Sequence, residues 1–123
     1  MTLPYGVIPV SVDCIFCRIA AGQIPSSKVY EDDQVVAFHD IQPQAPTHVL
    51  VIPKKHMVSV NDLHAEDAAM LGHVFAAVQH VARETGIAET GYRLITNTGK
   101  DAGQVVHHLH FHVMGGRSLG HLG

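Results

Sequence analysis

Three histidines stand at alternate positions in His108-Leu109-His110-Phe111-His112, and Val113 continues an otherwise apolar run. Successive side chains on a β-strand point to opposite faces. The spacing therefore predicts a strand with His108, His110 and His112 on one face and Leu109, Phe111 and Val113 in a core on the other. An imidazole titrates near neutral pH and can act as nucleophile, base, hydrogen-bond donor or metal ligand, so a core-anchored row of three points to chemistry. The second chemical spacing is Cys14-x-x-Cys17. Two cysteines this close are poor partners for a structural disulfide in a reducing compartment and better suited to metal or redox work.

The elements that must carry these residues can be read along the chain. Residues 1–12, with Pro4, Gly6 and Pro9, read as an irregular N-terminal extension, followed by a single domain over 13–123. Asp13 is a candidate N-cap for a short helix from Cys14 to about Ala21, ended by Gly22. Lys28–Tyr30 and Gln34–Phe38 read as strands joined by the acidic turn Glu31-Asp32-Asp33. A proline-bearing loop over 41–47 leads into the strand His48–Ile52, which Pro53 stops.

A long helix is expected over 65–84, where Leu71, Val74, Phe75, Val78, Val81 and Ala82 recur on a single helical face. His73 and His80 fall on its other face two turns apart, too far for joint chelation, and read as solvent-exposed. Gly86 ends the helix, Tyr92–Asn97 reads as a strand, 98–103 as a turn, and Val105–Met114 as the histidine strand. On this strand His107 points to the core side and reads as a packing residue. The fold class is α+β: an antiparallel sheet of about five strands with one long and one short helix.

Composition excludes several classes of function. At 123 residues and 46% hydrophobic content the chain is one domain with a sizeable core, and a net charge of −3 offers no electrostatic footprint for nucleic acid or membrane. No apolar run approaches the roughly 20 residues of a membrane span. Met1 to Val12 lacks the charged start and long apolar stretch of a signal peptide, so the expected compartment is the cytoplasm.

Four segments converge on a family. They are the triad with Gly115-Gly116-Arg117; Phe38-His39-Asp40-Ile41 with Pro43-Gln44-Ala45-Pro46-Thr47-His48; Val51-Ile52-Pro53-Lys54-Lys55-His56; and Asn97 with Gly103-Gln104. Over residues 14–117 the chain resembles the histidine triad (HIT) nucleotide-binding proteins of the Hint branch. The resemblance implies a purine nucleoside monophosphate site in a homodimer whose sheets join edge to edge. It also implies attack of the middle histidine, His110, on an α-phosphorus. On that pattern His112 hydrogen-bonds the phosphoryl oxygens, His48 helps orient the constellation, and backbone N–H groups around Gly103, Gln104 and Val105 add donors. Asp40 accepts from the ribose hydroxyls, a task suited to two carboxylate oxygens. Phe38, His39 and Ile41, with Phe16 and Ile19, form the base slot, although ordinary core packing accounts equally for Phe16 and Ile19. Asn97 meets the phosphate or leaving group. The implied activity is hydrolysis of nucleoside phosphoramidates, with dinucleoside polyphosphate hydrolysis the alternative within the family.

Two departures matter. Hint proteins often have Ser at the position of Val105, where a hydroxyl can assist the phosphoryl or leaving group, and Val cannot. Cys14-x-x-Cys17 resembles the zinc-bearing bacterial members, in which the cysteines join the histidines corresponding to His56 and His108. Two thiolates and two imidazoles make a closed, structural tetrahedral zinc site. Readings outside this class are a zinc hydrolase holding its metal with His108, His110 and His48, and a noncatalytic nucleotide-binding or scaffold protein, which Val105 favours.

Overall fold

The computed structural model describes residues 14–121; the N-terminal extension expected over 1–12, and Asp13, lie outside them. The first helix, α1, is Ile15–Ala20, and its N-cap is Cys14, whose sulfur accepts from the Cys17 N–H. Strands β1 (Lys28–Glu31), β2 (Val35–His39) and β3 (Thr47–Pro53) follow. Helix α2 is Ala68–Glu84, α3 is Ile87–Thr90, and the chain returns through β4 (Tyr92–Ile95) and β5 (Phe111–Gly115). The five strands form one antiparallel sheet in the order β1-β2-β3-β5-β4.

The alternation of side chains splits the apolar residues of the central strands between two cores. Val35, Ala37, Val49, Val51, Phe111 and Val113 meet Val74, Val78 and Val81 of α2 on one face. Val36, Phe38, Leu50 and Ile52 meet Phe16 and Ile19 of α1 on the other. The buried stripe of α2 also takes in Met70 and Ala77, whereas Phe75, expected in it, is half exposed and meets the core through its ring contact with Phe111. The α-helix begins at Ala68 rather than Ala65, because residues 65–67 make a tighter 3-10 turn. In that turn the Asp67 carboxylate accepts from the His64 N–H.

Three further expectations are corrected. His73 and His80 are not simply solvated: His73 Nδ1 lies 2.9 Å from Asp32 and His80 packs on the Tyr30 ring, tying α2 to the β1–β2 turn. Helix α3 occupies a segment read as a connection, and its Ile87 lies so close to Gly115 that a Cβ there would sit 3.1 Å from it. Gly116, at φ +95°, is pressed as closely against Pro46, so the glycine pair lets the end of β5 pass between two neighbours. Finally, the histidine strand begins at Phe111, not Val105. Over 108–110 the backbone groups are engaged elsewhere: the Leu109 N–H donates to the Met57 carbonyl, and the His108 and His110 carbonyls accept from side chains.

Candidate active site

Although the sheet ladder stops at Phe111, the predicted facing persists beyond it. Leu109 joins the α2 core with Phe111 and Val113, while His108 and His110 lie against the Phe16 ring on the α1 side. His112, paired in register with Leu50, shares that side. His107, expected in the core, is instead exposed, because the chain bends over 106–108 and is no longer extended there.

Backbone groups fix which nitrogen of each ring bears the proton. A carbonyl only accepts and an amide N–H only donates, so each contact settles one nitrogen of a neutral imidazole and thereby the other. His108 Nε2 lies 2.8 Å from the Pro53 carbonyl and must donate to it, leaving the lone pair on Nδ1. His110 Nδ1 lies 2.7 Å from the His108 carbonyl and must donate, leaving the lone pair on Nε2. The Gln44 N–H donates to His48 Nδ1 at 3.0 Å, so the His48 proton is on Nε2. That nitrogen donates to His112 Nδ1 at 2.8 Å, which puts the remaining His112 proton on Nε2. Two adjacent rings thus present opposite functions, a lone pair at His110 and a donor at His112, with ring centroids 5.0 Å apart.

The electrostatics agree with neutral rings at His112 and His48. Burial pushes His112 down to about 4, helped by repulsion from His110 and His48. Burial also lowers His48, against the opposing pull of Asp40. Asp40 Oδ2 lies 3.4 Å from His48 Nε2, a secondary contact beside the shorter one to His112, while its Oδ1 accepts from the Gln42 N–H. Arg117 donates to the Gln44 carbonyl at 2.9 Å and so clamps the loop whose N–H sets the His48 tautomer.

The remaining expected residues divide into a floor and a rim. Phe16, Ile19 and Phe38 are buried together, with Phe16 and Phe38 in edge contact. His39 is exposed and Ile41 is 93% exposed, a large apolar side chain held in water beside Asp40. Asn97 follows Thr96, whose hydroxyl donates to the His110 carbonyl at 2.8 Å. Thr96 is a residue that sequence reasoning missed, since nothing in its type distinguishes it from any strand threonine. Gly103, at φ +85°, turns the chain into Gln104, and the N–H groups of both, expected as phosphate donors, are instead taken up by the turn itself, on the Lys100 and Gly99 carbonyls at 3.0 and 3.1 Å. The buried Gln104 amide bonds the Gly99 N–H and the Val58 and Val106 carbonyls, which pins the loop while Val105 stands 84% exposed.

Cys14, Cys17, His56 and His108 converge separately. His108 Nδ1 lies 3.3 Å from Cys14 Sγ, 3.5 Å from Cys17 Sγ and 3.2 Å from His56 Nδ1, and Cys17 Sγ is 3.1 Å from His56 Nδ1. A tetrahedral zinc site with ordinary bond lengths has S···N edges of about 3.6 Å and N···N edges of about 3.3 Å. The donor set therefore fits such an ion. The His108 ring presents its lone pair inward while its other nitrogen is held by a carbonyl, as outer-shell support for a metal ligand requires. His110 belongs to none of the three metal-capable clusters among the described residues, so the ligand set of a zinc hydrolase is not assembled. Another of these clusters is Asp40, His48 and His112, where both His48 nitrogens are already engaged.

Similarity to known proteins agrees with the geometry. The HIT domain model matches residues 21–119. The chain is 50% identical over 108 residues, 88% of its length and 91% of the relative's, to a purine nucleoside phosphoramidase of Escherichia coli (strain K12). Among solved structures it resembles a histidine triad protein from Clostridium difficile, with a TM-score of 0.87, 47% identity and coverage of 92% of this chain and 98% of the other. It also resembles a HIT family hydrolase from Legionella pneumophila Philadelphia 1, with a TM-score of 0.85, 44% identity and coverage of 88% and 96%. No helix among the described residues is long and apolar enough to cross a membrane. With its five-stranded sheet and its histidines in this arrangement, the chain belongs to the HIT-domain family and is a hydrolase of that family.

Proposed function

We propose that this hydrolase cleaves purine nucleoside phosphoramidates to the nucleoside monophosphate and an amine through a nucleotidyl intermediate on His110. The observation that carries the reading is the Nδ1 contact of His110 with the His108 carbonyl, which leaves Nε2 as an unprotonated nucleophile. In the first step the Nε2 lone pair bonds to the α-phosphorus, the P–N bond breaks, and the leaving nitrogen, having taken a proton from solvent, departs as the amine, since an amide anion leaves very badly. The ring acquires positive charge as this bond forms, and the hydrogen bond from Nδ1 to the carbonyl strengthens with it. His112 Nε2–H, with the backbone N–H of Val105, donates to the phosphoryl oxygens, the Gly103 and Gln104 N–H groups being given to the Lys100 and Gly99 carbonyls. Water then attacks phosphorus and releases His110.

Asp40 holds the ribose hydroxyls in this reading, and Asn97 meets the phosphate or the leaving group. The base lies over Phe16, Ile19 and Phe38, between His39 and Ile41, and the exposure of Ile41 supports a rim waiting for an apolar ring. Cys14, Cys17, His56 and His108 hold zinc, which supplies structural cross-linking there, with no ligand position left for substrate. A metal set with two thiolates fits a reducing compartment, the cytoplasm. The homodimer joins through edge strand β4, where exposed Tyr92, and Phe75 on α2, offer apolar surface.

The test is AMP release from adenosine phosphoramidate by the wild type and by His110→Ala, with the fold of the variant checked by circular dichroism. Release that disappears in the folded variant is expected. Equal release from both would remove His110 as the nucleophile, and no release from wild type that binds AMP would remove the phosphoramidase reading.

A further inference from the structure

The metal-capable cluster and the nucleophile share one residue. His108 directs its ring into the group formed with Cys14, Cys17 and His56, and its carbonyl receives the His110 Nδ1 proton. Whatever moves the His108 ring therefore moves the acceptor that sets the His110 tautomer and position. The cluster also borders open space, with its cysteines buried and Cys14 itself 7% exposed. A cleft of about 320 Å³ opens onto it, with Cys14 and His56 in its wall beside Ile15, Val58, Val105 and His107. The buried amide of Gln104 bonds the carbonyls of Val58 and Val106, two of the residues lining the cleft, and so fixes them to one another.

The two sulfurs are placed for a second chemistry. They stand one turn apart at the start of α1, within 4.8 Å of each other, and the Cys17 N–H already donates to the Cys14 sulfur at 3.3 Å. A disulfide needs Sγ atoms about 2 Å apart, so closure calls for the two side chains to rotate towards each other.

We infer that Cys14 and Cys17 are a peroxide-oxidisable pair whose disulfide releases the metal and loosens the nucleophile, so that the chain carries a reversible redox control beside its active site. This inference rests on the zinc reading of the cluster and on the phosphoramidase reading of His110. The peroxide enters through the cleft and meets Cys14, the cysteine in its wall. The Cys14 thiolate attacks one peroxide oxygen: an S–O bond forms, the O–O bond breaks, and hydroxide leaves to take up a proton. The Cys17 thiolate then attacks the Cys14 sulfur, the S–S bond forms, and the S–O bond breaks with loss of a second hydroxide. Two thiolates are oxidised, one hydrogen peroxide is reduced, and two protons are consumed to give two waters. The cluster loses both anionic donors and keeps only His56 and His108, too few to retain zinc against a chelating indicator. With its ring no longer anchored on the metal side, His108 holds the His110 proton less firmly, and misplacement of a reacting group by even 1 Å costs about a hundredfold in rate.

The experiment treats the reduced, metal-loaded wild-type protein with hydrogen peroxide. It follows zinc release with a chromophoric indicator, the Cys14–Cys17 link by peptide mass spectrometry, and AMP release from adenosine phosphoramidate. Expected are a linked peptide lighter by two hydrogens, one equivalent of zinc freed in step with it, and AMP release reduced about tenfold or more. All three should return on adding dithiothreitol and zinc. Cys17→Ser should form no link. If this variant does not fold, the wild-type peptide map still decides the matter. Sulfinic acid on unlinked cysteines, or a complete disulfide with AMP release unchanged, overturns the inference. Protein that holds no zinc at the outset contradicts the zinc reading and, with it, the release step. Absence of AMP release from the untreated protein contradicts the phosphoramidase reading, while the mass and zinc readouts still report on the pair.

Discussion

His108 and His110 sit two residues apart on the same side of the sheet, against the same Phe16 ring, yet the fold makes opposite use of them. His108 spends Nε2 on the Pro53 carbonyl and turns Nδ1 towards two sulfurs and another ring. His110 spends Nδ1 on a carbonyl and keeps Nε2. Burial does not separate them, since both are nearly inaccessible. What separates them is which nitrogen meets a backbone carbonyl. A histidine's task is therefore settled by the main chain around it, one hydrogen bond at a time.

The comparison can be broken first at its two ends. His110→Ala should lower AMP release by about a thousandfold or more while lowering stability only by what one buried ring and its hydrogen bond are worth, about 1 to 3 kcal/mol. Cys17→Ser should weigh more on stability: loss of a metal ligand costs about 4 kcal/mol or more, read as a lowered urea midpoint that no longer responds to chelator. If the two variants exchanged these signatures, the division of labour would be wrong. Within the reacting pair, His48→Ala removes the ring that donates to His112 Nδ1 and should cost about 10- to 100-fold in turnover with AMP affinity little changed. Val105→Ser restores a hydroxyl on an exposed loop residue; turnover should rise by about 2- to 10-fold, the worth of one hydrogen bond, at constant stability.

The smallest effect is one of pH, and it has opposite signs in two places. His112 takes up a proton near its ordinary 6.5 in the unfolded chain but only near about 4 in the fold. Between these values the unfolded chain holds the extra proton, so stability falls as pH falls. His73 is the contrary case. Its hydrogen bond to Asp32 raises its pKa, so its contribution is full below 6.5 and is lost as pH rises through the raised value. Burial works to raise Asp32, but the hydrogen bonds from His73, Tyr30 and the Gln34 and Val35 amides outweigh it and hold the carboxyl at about 2, so the pair persists through mild acid. Urea unfolding between pH 8 and pH 5 should show a shallower acid loss in His112→Gln and a steeper one in His73→Gln. Identical slopes in both variants would contradict the assignment.

Much of this was legible in residue type and order. The alternation from His108 to Val113 settled the faces even where the ladder is absent, because burial of Leu109, Phe111 and Val113 on one side leaves the histidines no other. Cys14-x-x-Cys17, with His56 and His108 supplied by the resemblance, named four residues that the fold brings together. Other features left no mark on residue type. Helix α3 is one short turn with no periodic pattern to announce it. His107 was misplaced because strand alternation was extended through a bend, and Phe75 because an apolar stripe wider than the buried face leaves one edge in water. The contacts that distinguish His108 from His110 are with backbone carbonyls, and every residue has one of those.

The most direct test of the account is the tautomeric state of the triad in the metal-loaded protein, read from nitrogen-15 chemical shifts and two-bond nitrogen–proton couplings of the imidazoles at neutral pH. The fold predicts the His110 proton on Nδ1 and the His112 proton on Nε2. A His110 proton on Nε2 would take away the lone pair that the proposed chemistry needs and would contradict the account.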